Sequence, residues 1–174
     1  MIVLRIAGAF AALALACVPA GAQGAKLNDA EIAHIAYTAG QIDIEAAQQA
    51  LQKSNNKQVK AFADDMIRDH KAVNDKALAL VKKLNVTRED NDTSKALAKQ
   101  AAEKRAELAK LSGAAFDKAY IDNEVAYHKT VNGALANTLI PSASNAELKD
   151  LLETGLKIFQ GHEQHAEHVA AEFK

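Results

Sequence analysis

Apolar residues recur along this chain at the three-to-four-residue spacing of an amphipathic helix, in four long stretches separated by polar breaks. The first runs from about Asn28 or Asp29, both suited to a helix N-cap, to about Lys53, where Ser54-Asn55-Asn56 ends it. Its stripe holds Ile32, Ile35, Ala36, Ala39, Ile42, Ala46, Ala47 and Ala50, whose small alanines allow close helix approach. The second, from about Lys57 to Leu84, aligns Val59, Phe62, Ala63, Met66, Val73, Ala77, Leu80, Val81 and Leu84. Residues 85–93 are polar and without period, which predicts a loop.

Ser94 to Leu111 is again helical, but rich in Lys, Glu and Ala with few large apolar residues, so it reads as a connecting helix on the surface. Ser112-Gly113 breaks the chain. A third core helix then carries Phe116, Ala119, Tyr120, Tyr127, Val131 and Leu135. Pro141 and its serines predict a turn, and the last helix starts near Asn145 with Leu148, Leu151, Leu152, Leu156, Phe159, Ala166, Val169, Ala170 and Phe173 on its face. Four such stripes bury most simply against one another, which predicts an all-α, ferritin-like four-helix bundle. The connecting helix spans roughly 27 Å, enough to carry the chain back along the bundle between the second and third core helices.

Composition agrees with helices. The 174 residues include only two prolines and eight glycines, and 21 basic against 22 acidic residues give a net charge of -1. That leaves no basic excess for phosphates, so a nucleic-acid partner is not expected. Residues 1–22 read as a signal peptide: Arg5, an apolar stretch from Ile6 to Val18, Pro19, and the cleavage-type run Ala20-Gly21-Ala22. The stretch is too short for a membrane span, and nothing downstream approaches one. The expected mature chain, residues 23–174, is one bundle domain, periplasmic or secreted. An alternative reading of Ala14-Leu15-Ala16-Cys17 is a lipoprotein signal, with Cys17 lipidated and the protein held at the outer membrane. Cys17 is the only cysteine, so no thiolate is expected in the bundle.

The informative positions are polar residues inside the apolar stripes, because desolvating a carboxylate or imidazole without a partner is costly. Asp43 falls in angle between Ala36 and Ala39, His70 between Val59 and Ala63, and His162 between Leu151 and Leu148. Glu124 and His128 stand one turn apart beside Tyr120 and Val131, so their side chains can converge. All five lie well away from helix ends and can meet at one height. Carboxylates and imidazoles from facing helices are how bundles hold Zn, Fe, Mn or Cu, and the lack of thiolates disfavours Cu(I). The competing reading is a metal-free buried hydrogen-bond network. A ferroxidase of the ordinary di-iron kind is disfavoured, because the residues three before His70, His128 and His162 are Ile67, Val125 and Phe159. The Glu31/His34 pair, the His165/His168 end of the last helix, Asp64-Asp65 and Arg68-Asp69 read as solvated surface, and no phosphate loop or nucleophile elbow is present.

Val59-Lys60-Ala61-Phe62-Ala63, Met66-Ile67-Arg68-Asp69-His70, Ser112-Gly113-Ala114-Ala115-Phe116-Asp117 with Tyr120 and His128, and finally His162, together resemble the bacterial domain of unknown function 4142 family. The resemblance covers the expected mature chain. It implies a ferritin-like bundle in exported proteins often described as outer-membrane proteins, and no established activity. Position by position it implies an acidic residue at Asp43, usually Glu in the family, the pair Asp69-His70, and His128 and His162, with Glu124 where the family varies. The expected function is metal binding through Asp43, His70, Glu124, His128 and His162 for stress protection or metal handling. The alternative is a non-enzymatic envelope protein whose histidines are structural.

Overall fold

The computed structural model describes residues 27–173, and among them there are helices and no strands. The signal-peptide and Cys17 readings lie outside the described residues. Four long helices, α1 (Asp29–Lys53), α2 (Lys57–Lys83), α4 (Gly113–Ala134) and α5 (Ala146–Ala170), make the bundle, and α3 (Asp92–Ala109) connects α2 to α4. No helix of the described residues is long and apolar enough to cross a membrane.

Side-chain caps set the helix starts. Asn28 and Glu31 form a reciprocal capping box on α1, Asn56 accepts from the Gln58 and Val59 amides at the start of α2, and Asn145 accepts from the Leu148 amide on α5. Asn91 and Ser94 form a second box, so α3 begins at Asp92, two residues before the start expected at Ser94. The end of α4 also differs from expectation. It passes into a π-helical turn, Leu135–Leu139, and a helical turn, Ile140–Ser142, so Pro141 sits in helical backbone rather than in the turn expected there.

The tethers fix the topology. The Lys53 ammonium donates to the Ala109 carbonyl at 2.8 Å, the Gln49 amide donates to the Arg105 carbonyl at 3.0 Å, and Arg105 pairs with Glu45 at 2.8 Å. With Asn91 near Glu31, these contacts run α3 parallel to α1 along its outer face. At the other side the Asp29 carboxylate accepts from the Ser144 and Asn145 amides at 2.8 and 2.9 Å, so α1 and α5 start at the same end. Around the bundle the order is therefore α1, α2, α5, α4, every neighbour antiparallel, with α3 making the long crossover expected. Ala33 and Ile44, off the stripe read from sequence, are also buried, on the side of α1 that Gly40 turns toward α2.

The core divides in two. One apolar cluster gathers Ala50, Val59, Phe62, Met66, Phe116, Tyr120 and Val169 at the end where α1 turns into α2. The other gathers Ile32, Ile35, Leu135, Leu148, Leu152 and Phe159 at the opposite end. Between them, α1 and α2 pass close together at Gly40, where a Cβ would lie 2.6 Å from Asn74 Oδ1. Asn74 is itself buried and reaches the Tyr37 carbonyl at 3.4 Å, so it has little room to yield. Gly40→Ala is accordingly expected to cost about 1–3 kcal/mol in urea unfolding through overpacking. Gly133→Ala, where nothing lies within 4 Å, should be neutral or stabilising.

Candidate metal centre

All five polar residues singled out in the stripes come together in the waist between the two apolar clusters. Asp43 on α1, His70 on α2, Glu124 and His128 on α4 and His162 on α5 are all buried. Ligand atoms of His70, His128 and His162 lie within 4.8 Å of one another, and so do those of Asp43, Glu124 and His128. His128 belongs to both triads, and His70 Nε2 stands 3.3 Å from Asp43 Oδ2, so the two triads form one centre.

The ring nitrogens are assigned by their outer partners. His128 Nδ1–H donates to the Glu124 carbonyl one turn back at 3.0 Å, which leaves Nε2 with a free lone pair. His162 Nε2–H donates to Asp69 Oδ2 at 3.0 Å, which leaves Nδ1 free. Both free nitrogens are buried and unpartnered, as are both ring nitrogens of His70, Asp43 Oδ1, Glu124 Oε2 and the Tyr120 hydroxyl. A protein interior rarely leaves so many polar atoms unpaired in one place.

Burial also sets the protonation. Desolvation pushes His70 well below the ordinary histidine value, His128 down to about 4, and His162 down against the pull of Asp69. The same desolvation raises Asp43 well above the carboxylate range and Glu124 to about 7, and the Glu124 charge beside it adds to the rise at Asp43. His128 and Glu124, 3.7 Å apart, are therefore not an ion pair near neutral pH, because the imidazole is neutral. The set offers neutral imidazoles, the form that ligates, beside a carboxyl pair holding exchangeable protons.

Asp69 corrects the sequence reading, which placed it with Arg68 on the solvated surface. It is about a quarter exposed, but it faces α5 and orients His162, while Arg68 at 2.7 Å holds its carboxyl below the ordinary range. Its place on the flank of the α2 stripe, next to His70 in sequence, was the signal available. A carboxylate behind a histidine is the usual outer support of a metal ligand. Tyr127 encloses the centre and donates to the Ala39 carbonyl at 3.1 Å. The other histidines stay apart: His34 pairs with Asp90 at 2.7 Å at the start of α1, and His165 stands 3.7 Å from Asp65 with its ring against Phe62.

The fold and the centre define an all-α helical-bundle protein with a buried histidine and carboxylate cluster. The chain belongs to the family described as a domain of unknown function, DUF4142, whose profile matches residues 15–169. No curated protein and no solved structure matches it.

The pKa directions predict opposite pH effects in metal-free protein. Glu124, raised from 4.5 to about 7, contributes stability that is full below 4.5 and lost as pH rises through about 7. His128, lowered from 6.5 to about 4, contributes stability that is full above 6.5 and lost as pH falls through about 4. Relative to wild type, Glu124→Gln should therefore gain melting temperature as pH rises from 4.5 to 7 and change no further above it. His128→Gln should gain as pH falls from 6.5 to 4. Thermal scans in chelator across pH 4 to 9 check both signs.

Proposed function

We propose that the centre binds one divalent transition-metal ion and that the protein serves metal handling or stress protection in the cell envelope. The observation that carries this reading is the convergence of unpartnered lone pairs from His70, His128 and His162 on the Asp43–Glu124 carboxyl pair. Two carboxylates offset the charge of one dication in a site that burial would otherwise make hostile to it. His128 has one free nitrogen, its other being committed to a carbonyl, so it cannot serve two ions at once. Three imidazoles and oxygen donors without a thiolate suit Zn(II) or Cu(II) first, then Fe(II) and Mn(II). When bound, such an ion would supply Lewis acidity beside Tyr120 and the carboxyl pair. The envelope location rests on the signal-like residues 1–22.

Titration of metal-free protein, purified without a histidine tag, with Zn(II), Cu(II), Fe(II) and Mn(II) near pH 7.5 tests the proposal. One ion per chain should bind and raise the melting temperature by several degrees, since a ligand at a hundredfold excess over its Kd stabilises the folded state by about 2.7 kcal/mol. His70→Ala should abolish the shift and His34→Ala should leave it. Asp69→Asn should weaken affinity about 10- to 100-fold, the usual loss when an outer partner of a histidine ligand is removed. No shift with any metal, or a shift that survives His70→Ala and disappears in a His165/His168 double alanine variant, would favour the structural-network reading instead.

A further inference from the structure

Next to the centre, on the side of the Leu135–Leu139 end of the bundle, lies a second feature that metal binding does not use. A pocket of about 210 Å³ runs between the four bundle helices and α3, and none of the side chains lining it carries a charge. Its buried end is formed by Phe159, Ala39 and Asn74, and its outer end by the exposed threonines Thr93 and Thr138. Protein interiors are ordinarily packed without spaces of this size.

Two independent features keep it open. The π-helical turn Leu135–Leu139 forms part of its wall, and such turns, which cost helix regularity, are frequent at functional sites. Gly155 lies in the middle of α5, where alanine would favour the helix, and a Cβ there would meet the Phe159 ring at 3.4 Å without clash. The missing methyl leaves a slot alongside that ring.

We propose that this pocket binds a neutral, hydrocarbon-rich small molecule of about one aromatic ring with a short alkyl tail. Size and charge both point to that class. A dry apolar cavity of about 150 Å³ accommodates benzene, and this one is larger by room for a few methylenes. A carboxylate or ammonium group would have to be buried with no counter-charge among the lining residues, which disfavours fatty acids and amines. The Phe159 ring is stacked on His70 with centroids 4.3 Å apart and 9° between planes, so the bound molecule lies one ring away from an imidazole of the centre.

Calorimetric titration of the full chain with butylbenzene, 1-octanol and octanoate, all in EDTA, tests the pocket without depending on the metal reading. Butylbenzene and octanol should bind saturably at one per chain and raise the melting temperature, and octanoate should bind at least tenfold more weakly. Ala77→Leu and Ala134→Leu, which fill the pocket from α2 and α4, should each weaken butylbenzene at least tenfold while retaining the wild-type melting temperature or exceeding it. Gly155→Ala, a single added methyl, should weaken it at least threefold and decides the matter if a leucine variant fails to fold. Absence of saturable binding, equal binding by the filled variants, or octanoate binding as well as octanol would overturn the proposal. Since no metal is present, none of these results depends on whether the centre holds an ion.

Discussion

The desolvation of Asp43, His70, Glu124, His128 and His162 in the waist of the bundle is the constraint on which the rest of the structure turns. A buried polar atom without a partner costs roughly 1–3 kcal/mol, and a domain of this size is stable by only about 5–15 kcal/mol. A set of such atoms can be carried only because two apolar clusters lie on either side of it. The same burial keeps the imidazoles neutral and shifts the carboxyls toward their protonated forms, which turns a structural liability into a set of ligands ready to exchange protons for a cation.

The framework around the waist explains how five residues from four helices reach one place. The tethers of α3 to α1 and of Asp29 to the start of α5 fix where each helix begins. With the starts fixed, residues near the middle of each helix arrive at one height. The outer partners then aim them: the Glu124 carbonyl turns His128, and Asp69 turns His162. Asp69 is held in turn by Arg68, so the outermost member of the centre is anchored at the surface.

Much of this was legible in the sequence, for a physical reason. Helical periodicity reports which face of each helix is buried, so the four stripes, the crossover and the five polar intruders could all be read from angle alone. Periodicity says nothing about flanks, where two helices meet edge to edge. Asp69 lies on such a flank and reads as surface until α5 is placed against it. The π turn at Leu135–Leu139 was equally hidden, since one extra residue in a helix leaves apolar spacing nearly unchanged. Glycines gave no clear sign either: Gly40 marks a close approach and Gly155 an open slot, and only the neighbours distinguish them.

The proposed function requires that imidazole nitrogens of the waist bind one ion directly. X-ray absorption at the zinc edge, on protein loaded with one equivalent of Zn(II), measures this most directly. About three imidazole nitrogens at roughly 2.0–2.1 Å, with oxygen completing the shell, are expected, as is the loss of one imidazole in His162→Ala. A shell of oxygen alone, or an imidazole count unchanged in His162→Ala, would contradict it.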